Sequence, residues 1–349
     1  MSRACTRVFW ALLLVALLCG GVARGQEDVP LTLHVYTNLM QIPVLVLTPG
    51  REKMRAVPPE RFYVSLDDGP RFKATHVRVE GDDPIALSIL LDVNGNSAEL
   101  MRKAEDAIGG MAPVSVGKRD RVSVYELDCG LMRTMHEAPA DAEKMKAAVG
   151  SALKDWRERR AAKKASPCKE RAPLWDAIAL ITHEMRESTG RRVMLVFSDG
   201  TDTTSRHGWS DVRFAAQSAG VAIFGMKSDK ELERTIFYHS PNREDLFRSI
   251  CELTGGLVMT SDDRVLPEHL RRFGEMVRER YIVEFPRPNN STAGEHAIEI
   301  SIAKTEAFIR PAGTSVALPD PAVLADPNTV PNDPTLEPVY GKRRVLKPK

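Results

Sequence analysis

The sequence predicts an α/β fold, in which a doubly wound, mostly parallel sheet is joined to a flanking β subdomain made from the N- and C-terminal segments. Three observations point there. Two apolar runs each end in an acidic residue: Ile85 to Leu91 leads into Asp92-Val-Asn94-Gly-Asn96-Ser97, and Val193 to Phe197 leads into Ser198-Asp199-Gly200. Short continuous apolar runs are the pattern of strands buried on both faces, as in a parallel sheet covered by helices. After the first run, strand-like segments alternate with helix-length ones, which implies right-handed crossovers. At both ends of this region the pattern changes to apolar–polar alternation, the mark of half-buried strands.

The elements follow in order. From Leu31 to Glu80 the chain is strand-like. Leu31, Leu33 and Val35 alternate with polar residues; so do Phe62, Val64 and Leu66, which run into the turn Asp67-Asp-Gly-Pro70, and then Val77 and Val79. Ala98 to Met111 reads as a helix. Val122 to Leu127 is a strand, with Leu131 to His136 as its antiparallel partner. Asp141 opens a helix that runs towards Trp156. Pro173, at a first-turn position, opens another that reaches about Glu187. Strand Val193–Phe197, a helix near Asp211–Ser218, strand Val221–Phe224 and a helix near Glu244–Thr254 come next. Gly255-Gly256 ends that helix, and Leu257 to Met259 is the last short strand of the sheet. Leu266 to Arg278 is an amphipathic helix. Tyr281 to Phe285 and Ala297 to Ile302 are expected to pair as a hairpin around a polar loop at Asn289–Gly294. The division expected is 1–25 signal peptide, 30–82 N-terminal β region, 84–262 main α/β domain, 263–312 helix plus C-terminal hairpin, and 313–349 a proline-rich disordered tail.

At 349 residues the chain is long enough for roughly two domains. Its 43% hydrophobic content suffices for a sizeable core, and a net charge of +2 leaves no electrostatic footprint for nucleic acid. Arg3 and Arg7 precede the apolar stretch Val8 to Cys19, and Ala23-Arg-Gly25 offers small residues for cleavage. This reads as a secretory signal, with a mature chain that begins at Gln26. Leu17 and Leu18 are bulky where a lipobox requires small residues, which argues against lipidation at Cys19. Cleavage leaves Cys129, Cys168 and Cys251, an odd number, so at least one thiol is unpaired or paired between chains. Cys129 follows a strand near a turn and Cys168 lies in a basic loop, so those two are the candidates for a disulfide. Cys251 sits among apolar helix neighbours and reads as buried.

The order of strand, Asp92-led turn, helices, Pro173-Leu-Trp-Asp-Ala177 helix start and strand-Ser198-Asp-Gly200 resembles the von Willebrand factor type A domain. Phe62-Tyr-Val-Ser-Leu-Asp-Asp-Gly69 and Arg280-Tyr-Ile-Val-Glu-Phe285 are similar to flanking segments of the related family of exported bacterial proteins. The resemblance covers roughly Leu31 to Pro311. It implies a Rossmann-like sheet with a metal-ion-dependent adhesion site at its top. There, hydroxyl and carboxylate oxygens hold Mg²⁺ or a similar hard cation, and one position stays open for a partner's carboxylate.

Residue by residue, the match is partial. Asp92 and Asp199 stand where the family has its aspartates. Asn94 and Asn96 replace two serines, and Ala172 replaces the threonine before the helix start. An asparagine carbonyl can ligate a cation but reaches further than serine, and alanine offers no oxygen. The bland alternative is that Asp92 and Asn94 cap the following helix.

Other motifs weigh less. His183-Glu184-Met-Arg-Glu187 lacks the second histidine of a zinc-protease helix. There is no Gly-x-Ser-x-Gly elbow and no phosphate-binding glycine loop. Asp92 to Asn96 has its glycine too early for an EF-hand. The histidines show no paired spacing, and His207 alone lies near the proposed site. Asp202 reads as a solvated loop residue rather than a supplementary ligand. Arg157 to Arg171 carries seven basic residues interrupted by two glutamates. It reads as a loop beside the site, either simply solvated or supplying fixed positive charge in place of a metal.

These readings lead to a non-catalytic, exported, protein-binding module of adhesion type, placed in the periplasm or outside the cell. Its degenerate metal site comprises Asp92, Asn94, Asn96 and Asp199. No cofactor is expected, and Mg²⁺ or another divalent cation would bind weakly at most. The expected partner is a protein, with an acidic one favoured by the basic segment. Nucleic acid is not expected, and no membrane span remains in the mature chain. Two other readings stay open: a structural envelope scaffold with a vestigial site, and a hydrolase whose site carries no recognised motif.

Overall fold

The computed structural model describes residues 36–37, 39–93, 98–164, 168, 173–202, 204–228, 245–286, 297–312, 329–330, 338 and 341. The expected signal peptide, Leu31 to Val35, Asn94, Asn96, Ala172, the loop at Asn289–Gly294 and most of the tail lie outside them. Among the described residues, no helix is long and apolar enough to cross a membrane.

The strands are β1 (Tyr36–Thr37), β2 (Leu39–Leu47), β3 (Phe62–Leu66), β4 (Phe72–Lys73), β5 (His76–Val79), β6 (Ile85–Asp92), β7 (Arg121–Leu127), β8 (Leu131–Pro139), β9 (Arg191–Phe197), β10 (Ala222–Ser228), β11 (Val258–Ser261), β12 (Tyr281–Pro286), β13 (Ile298–Ile302), β14 (Phe308–Pro311) and β15 (Thr329–Val330). The helices are α1 (Ala98–Gly109), α2 (Ala142–Ala152), α3 (Lys154–Ala161), α4 (Leu174–Glu184), α5 (Trp209–Ala219), α6 (Leu246–Leu253) and α7 (Leu266–Arg278).

The main sheet has the order β11-β10-β9-β6-β7-β8. Every pairing is parallel except that of the edge strand β8, which forms an antiparallel hairpin with β7. All eight residues of β6 are buried, which explains an apolar run interrupted before Asp92 only by the small Ser88. One face, with Leu87, Ile89, Leu91 and Phe197, packs under α1, α2 and α7 through Leu100, Met145 and Phe273. The other, with Leu90, Met194 and Val196, packs under α4, α5 and α6 through Ile178, Val212 and Ile250. The sheet is thus doubly wound, as the sequence predicts. Helix α7 belongs to this core rather than to the C-terminal strands that follow it.

The terminal segments form one β unit of two sheets, with orders β14-β2-β12-β5 and β13-β3-β4. Val44, Phe62, Val64, Val283, Phe285 and Ile300 meet in a shared core. Neither region is large enough to bury such a core alone. The expected hairpin between β12 and β13 does not form. Both edges of β12 are taken by N-terminal strands, with Val283 opposite Ile42 on one side and Val77 on the other. Strand β13 pairs instead with β3, placing Ile300 opposite Val64.

At the amino-terminal end of the main sheet, Arg191 Nη2 at the start of β9 donates to Gln41 Oε1 of β2 at 2.9 Å and ties the β unit to it, while further charged pairs brace the β unit and the main domain internally. Arg280 makes two bonds to Glu80, both of 2.8 Å, and the two side chains are essentially fully buried. Arg278 bonds the buried Asp120, which accepts the amide of Ile85 at the start of β6 at 3.0 Å. Parts of the tail are also held. β15 pairs parallel with β1, Pro338 is buried, and the Gly341 amide donates to Leu66 O at 2.9 Å. A side chain at Gly341 would meet Asp67 O at 1.9 Å, so only glycine fits there. The expectation of a disordered tail does not extend to these residues.

Candidate recognition edge

The site is built where strands end. Asp92 is the last residue of β6, and in register Leu91 lies opposite Phe197 of β9 while Asp92 lies opposite Leu127 of β7. The chain leaves β6 for β7 on one side and later enters β9 on the other. Asp92 therefore marks the point where the winding direction changes, the place where open α/β sheets gather ligands.

Asp92 is only 5% exposed. Ser198 Oγ donates to Asp92 Oδ2 at 2.6 Å, and the Gly200 amide donates to Ser198 Oγ at 3.0 Å. This links the two aspartate loops directly, so Asp92 and Asp199 sit at the same carboxyl edge on adjacent strands, as expected. Asp199 is partly exposed and accepts the Thr201 amide at 2.8 Å, which fixes its loop. Gly200 has φ +77°, and a Cβ there would lie 2.4 Å from Phe247 Cβ, so the Asp-Gly turn requires glycine.

Asp202 is not the solvated residue expected. Its carboxylate accepts the Trp175 amide at 2.9 Å, the Thr204 and Ser205 amides at 3.1 and 3.0 Å, and Ser205 Oγ at 2.5 Å. Helix α4 begins after Pro173 with no side-chain cap of its own. Asp202 supplies that cap from a distant loop. The clasp is reciprocal: Ser205 Oγ accepts the Asp176 amide at 3.1 Å, and the Asp176 carboxylate accepts the amides of Arg206 and His207 at 3.1 and 2.9 Å. His207 Nδ1 lies 2.7 Å from Asp176 Oδ1. Burial works against the Asp176 charge, but the two amides and the His207 ring outweigh it and hold the carboxyl below its usual value. Ser198, Ser205 and Asp176 carry no assigned role in the sequence reading. An aspartate at the third position of a helix without a cap was the available signal.

The basic segment is likewise only partly a loop. Arg157, Arg159 and Arg160 lie on α3, anchored by the buried Trp156. Arg157 pairs with Glu105 at 2.5 Å, Arg159 with Asp128 at 2.7 Å, and Arg160 lies 5.4 Å over the Trp156 ring. Lys163, Lys164 and Arg206 are exposed, while Lys169 and Arg171 lie outside the described residues. Beneath α3, Glu126 near the end of β7 is 3% exposed. Burial, reinforced by Asp128 and Asp155 and opposed by Arg159, pushes its pKa up to about 7. Cys129 and Cys168 form the expected disulfide with Cα atoms 5.2 Å apart, and Cys251 is a buried free thiol. Glu184, of the discarded protease-like motif, accepts Tyr125 Oη at 2.7 Å and Arg133 at 2.9 Å.

Asp92 and Asp199 are present at this edge, and both already accept protein hydrogen bonds. Among the described residues, no histidine, cysteine or third carboxylate converges with them; the one such cluster is Asp128, Cys129 and Cys168.

The doubly wound sheet with its antiparallel edge strand and the paired aspartates at the switch point make a Rossmann-like α/β fold with an added antiparallel β unit, the architecture that the resemblance to the von Willebrand factor type A domain implies. No family model and no curated protein matches the chain. Solved structures do. Proximal thread matrix protein 1 from the mussel byssus, with a zinc-occupied metal-ion-dependent adhesion site motif, is 11% identical with a TM-score of 0.39 over 57% of this chain. The match spans 49% of that protein, so this chain covers about half its length. BatB from Bacteroides thetaiotaomicron is 15% identical with a TM-score of 0.39, covering 56% of this chain and 96% of that one. A von Willebrand factor type A protein from Catenulispora acidiphila is 12% identical with a TM-score of 0.38, covering 68% and 49%.

Proposed function

We propose that this chain is a non-catalytic, exported, protein-binding module that recognises its partner with the carboxyl edge of the main sheet, around Asp92, Asn94, Asn96, Ala172 and Asp199. The observation that carries the reading is the coupling of Asp92 to the Asp199 loop through Ser198 at the switch point. It makes a pre-organised edge, with a partly exposed carboxylate beside a buried one. The site binds Mg²⁺ weakly or not at all. Asn94 and Asn96 offer displaced neutral oxygens and Ala172 none, whereas a hard cation of this kind takes about six oxygens in near-octahedral geometry.

Recognition then rests on fixed charge and shape. Arg206, Lys163 and Lys164 are exposed at or beside this edge, which suits an acidic protein surface. The clasp between Asp202, Ser205, Asp176 and the start of α4 holds the rim without a metal. Export places the partner in the envelope or outside the cell.

The test is partner capture from envelope extracts with purified protein, its Asp199→Ala variant and an Arg206→Glu variant, each with Mg²⁺ and with EDTA. The reading expects the same specific partner from the unmodified protein in both buffers and its loss in the variants. Capture that survives both substitutions would move function away from this edge, to the β unit of the scaffold alternative. Capture abolished by EDTA would show a working metal site.

A further inference from the structure

Beside the recognition edge lies a second group of ligand-type atoms that the proposed function does not use. Asp128, Cys129 and Cys168 each present one ligand atom, and these atoms all lie within 4.8 Å of one another. Asp128 and Cys129 form the start of the turn after β7, and Cys168 belongs to the segment that leads from α3 towards α4. The disulfide holds the two sulfurs in the present structure. We propose that the reduced chain binds a thiophilic divalent cation, of which Zn²⁺ is the type, through the Cys129 and Cys168 thiolates and the Asp128 carboxylate. Metal and disulfide are then mutually exclusive states of one site.

The donor chemistry selects the metal. Two thiolates with one carboxylate suit a borderline-soft, tetrahedral ion and not Mg²⁺. With Zn–S near 2.3 Å, two sulfurs on one tetrahedral ion stand roughly 3.7 Å apart. The Cα separation of 5.2 Å and the 4.8 Å envelope accommodate that spacing without movement of the strands. The fourth position falls to water.

The carboxylate is already oriented for this role. Arg159 Nη2 donates to Asp128 Oδ2 at 2.7 Å, and Asp128 Oδ1 lies 3.4 Å from Cys168 Sγ. Such an outer partner fixes the ligand's direction.

The redox step balances with a dithiol reductant. Its thiolate attacks the exposed Cys129 sulfur, the Cys129–Cys168 bond breaks, and Cys168 leaves as a thiolate. The reductant's second thiol then displaces Cys129, closing the reductant's own disulfide. Two electrons and two protons reach the protein. Zn²⁺ binding to the two thiols returns two protons to solvent; thiol–disulfide exchange with a small disulfide oxidant, itself reduced to its two thiols, re-forms the Cys129–Cys168 bond and expels the ion.

The experiment uses the full chain carrying Cys5→Ser and Cys19→Ser, so that only the pair and Cys251 remain. The protein is reduced with a phosphine, freed of reductant without air, and titrated with Zn²⁺ against a chromophoric chelator. Co²⁺ serves as a spectroscopic reporter of thiolate ligation. One Zn²⁺ per reduced chain is expected, with none bound by the disulfide form. Cys168→Ser should lose affinity by about a hundredfold and Arg159→Gln by about tenfold, while Cys251→Ala should change nothing. The reduced and oxidised unmodified protein share one sequence, so the comparison holds even where a variant folds poorly. No binding by the reduced chain, equal binding by the oxidised chain, or binding indifferent to Cys168→Ser overturns the proposal.

Discussion

Glu126→Gln is expected to stabilise the disulfide-bonded protein above neutral pH and to leave it unchanged in acid. Glu126 is buried beneath α3, and the groups that act on it are Asp128, Asp155 and Arg159. Burial is the main cause of its raised pKa, from the ordinary 4.5 to about 7. Below pH 4.5 the side chain is neutral in folded and unfolded chains, and its protonation costs nothing. Between there and about pH 7 the unfolded chain gives up the proton while the folded one keeps it, so stability falls as pH rises. Above about pH 7 the loss is complete. At about 1.4 kcal/mol per unit, the displacement amounts to up to about 3 kcal/mol.

Glutamine keeps the shape and removes the ionisation. Its gain at pH 8.5 should approach that figure, or about 6 °C in Tm at roughly 2 °C per kcal/mol for a chain of this size. At pH 4 the two proteins should melt together. Thermal unfolding followed by calorimetry at both pH values is the assay. An equal gain at both would make the effect one of packing, and no gain at pH 8.5 would show that Glu126 is not desolvated as described.

Two more predictions concern the frame around the site. Arg280→Met leaves the Glu80 carboxyl buried without its partner, and should cost about 3–5 kcal/mol in urea unfolding; a loss under 1 kcal/mol would mean that this pair does not brace β5 against β12. Asp202→Ala removes the cap of α4 and should cost about 1–2 kcal/mol, with faster amide exchange at Trp175 and Ser205. Unchanged exchange there would refute the cap.

Much of the fold could be read in the residues, and the failures have identifiable causes. The runs ending at Asp92 and Asp199 are legible because strands buried on both faces are almost wholly apolar, with the small Ser88 the one polar residue inside the first. Alternation at Phe62 to Leu66 and in the segment up to Ile302 told which face is buried. It did not tell the partner, so β12 and β13 looked like a hairpin although N-terminal strands occupy both edges of β12. The pairing of Cys129 with Cys168 followed from where each was placed on the sheet's periphery. The role of Asp202 is not legible, because a cap supplied from a distant loop leaves no local signature. The helical, partnered state of Arg157 to Arg160 has no local sign, because their partners, Glu105, Asp128 and Trp156, come from packing that charge patterning does not reveal.

The central claim is that the edge bearing Asp92 and Asp199 works without a tightly held metal, and Mg²⁺ titration calorimetry tests it most directly. The unmodified protein should give no measurable heat at millimolar Mg²⁺ and no gain in Tm. The triple variant Asn94→Ser, Asn96→Ser and Ala172→Thr, which restores the three missing hydroxyls, should bind. Tight binding by the unmodified protein that disappears in Asp199→Ala would show that the two asparagines complete a functional metal site, and would contradict the account.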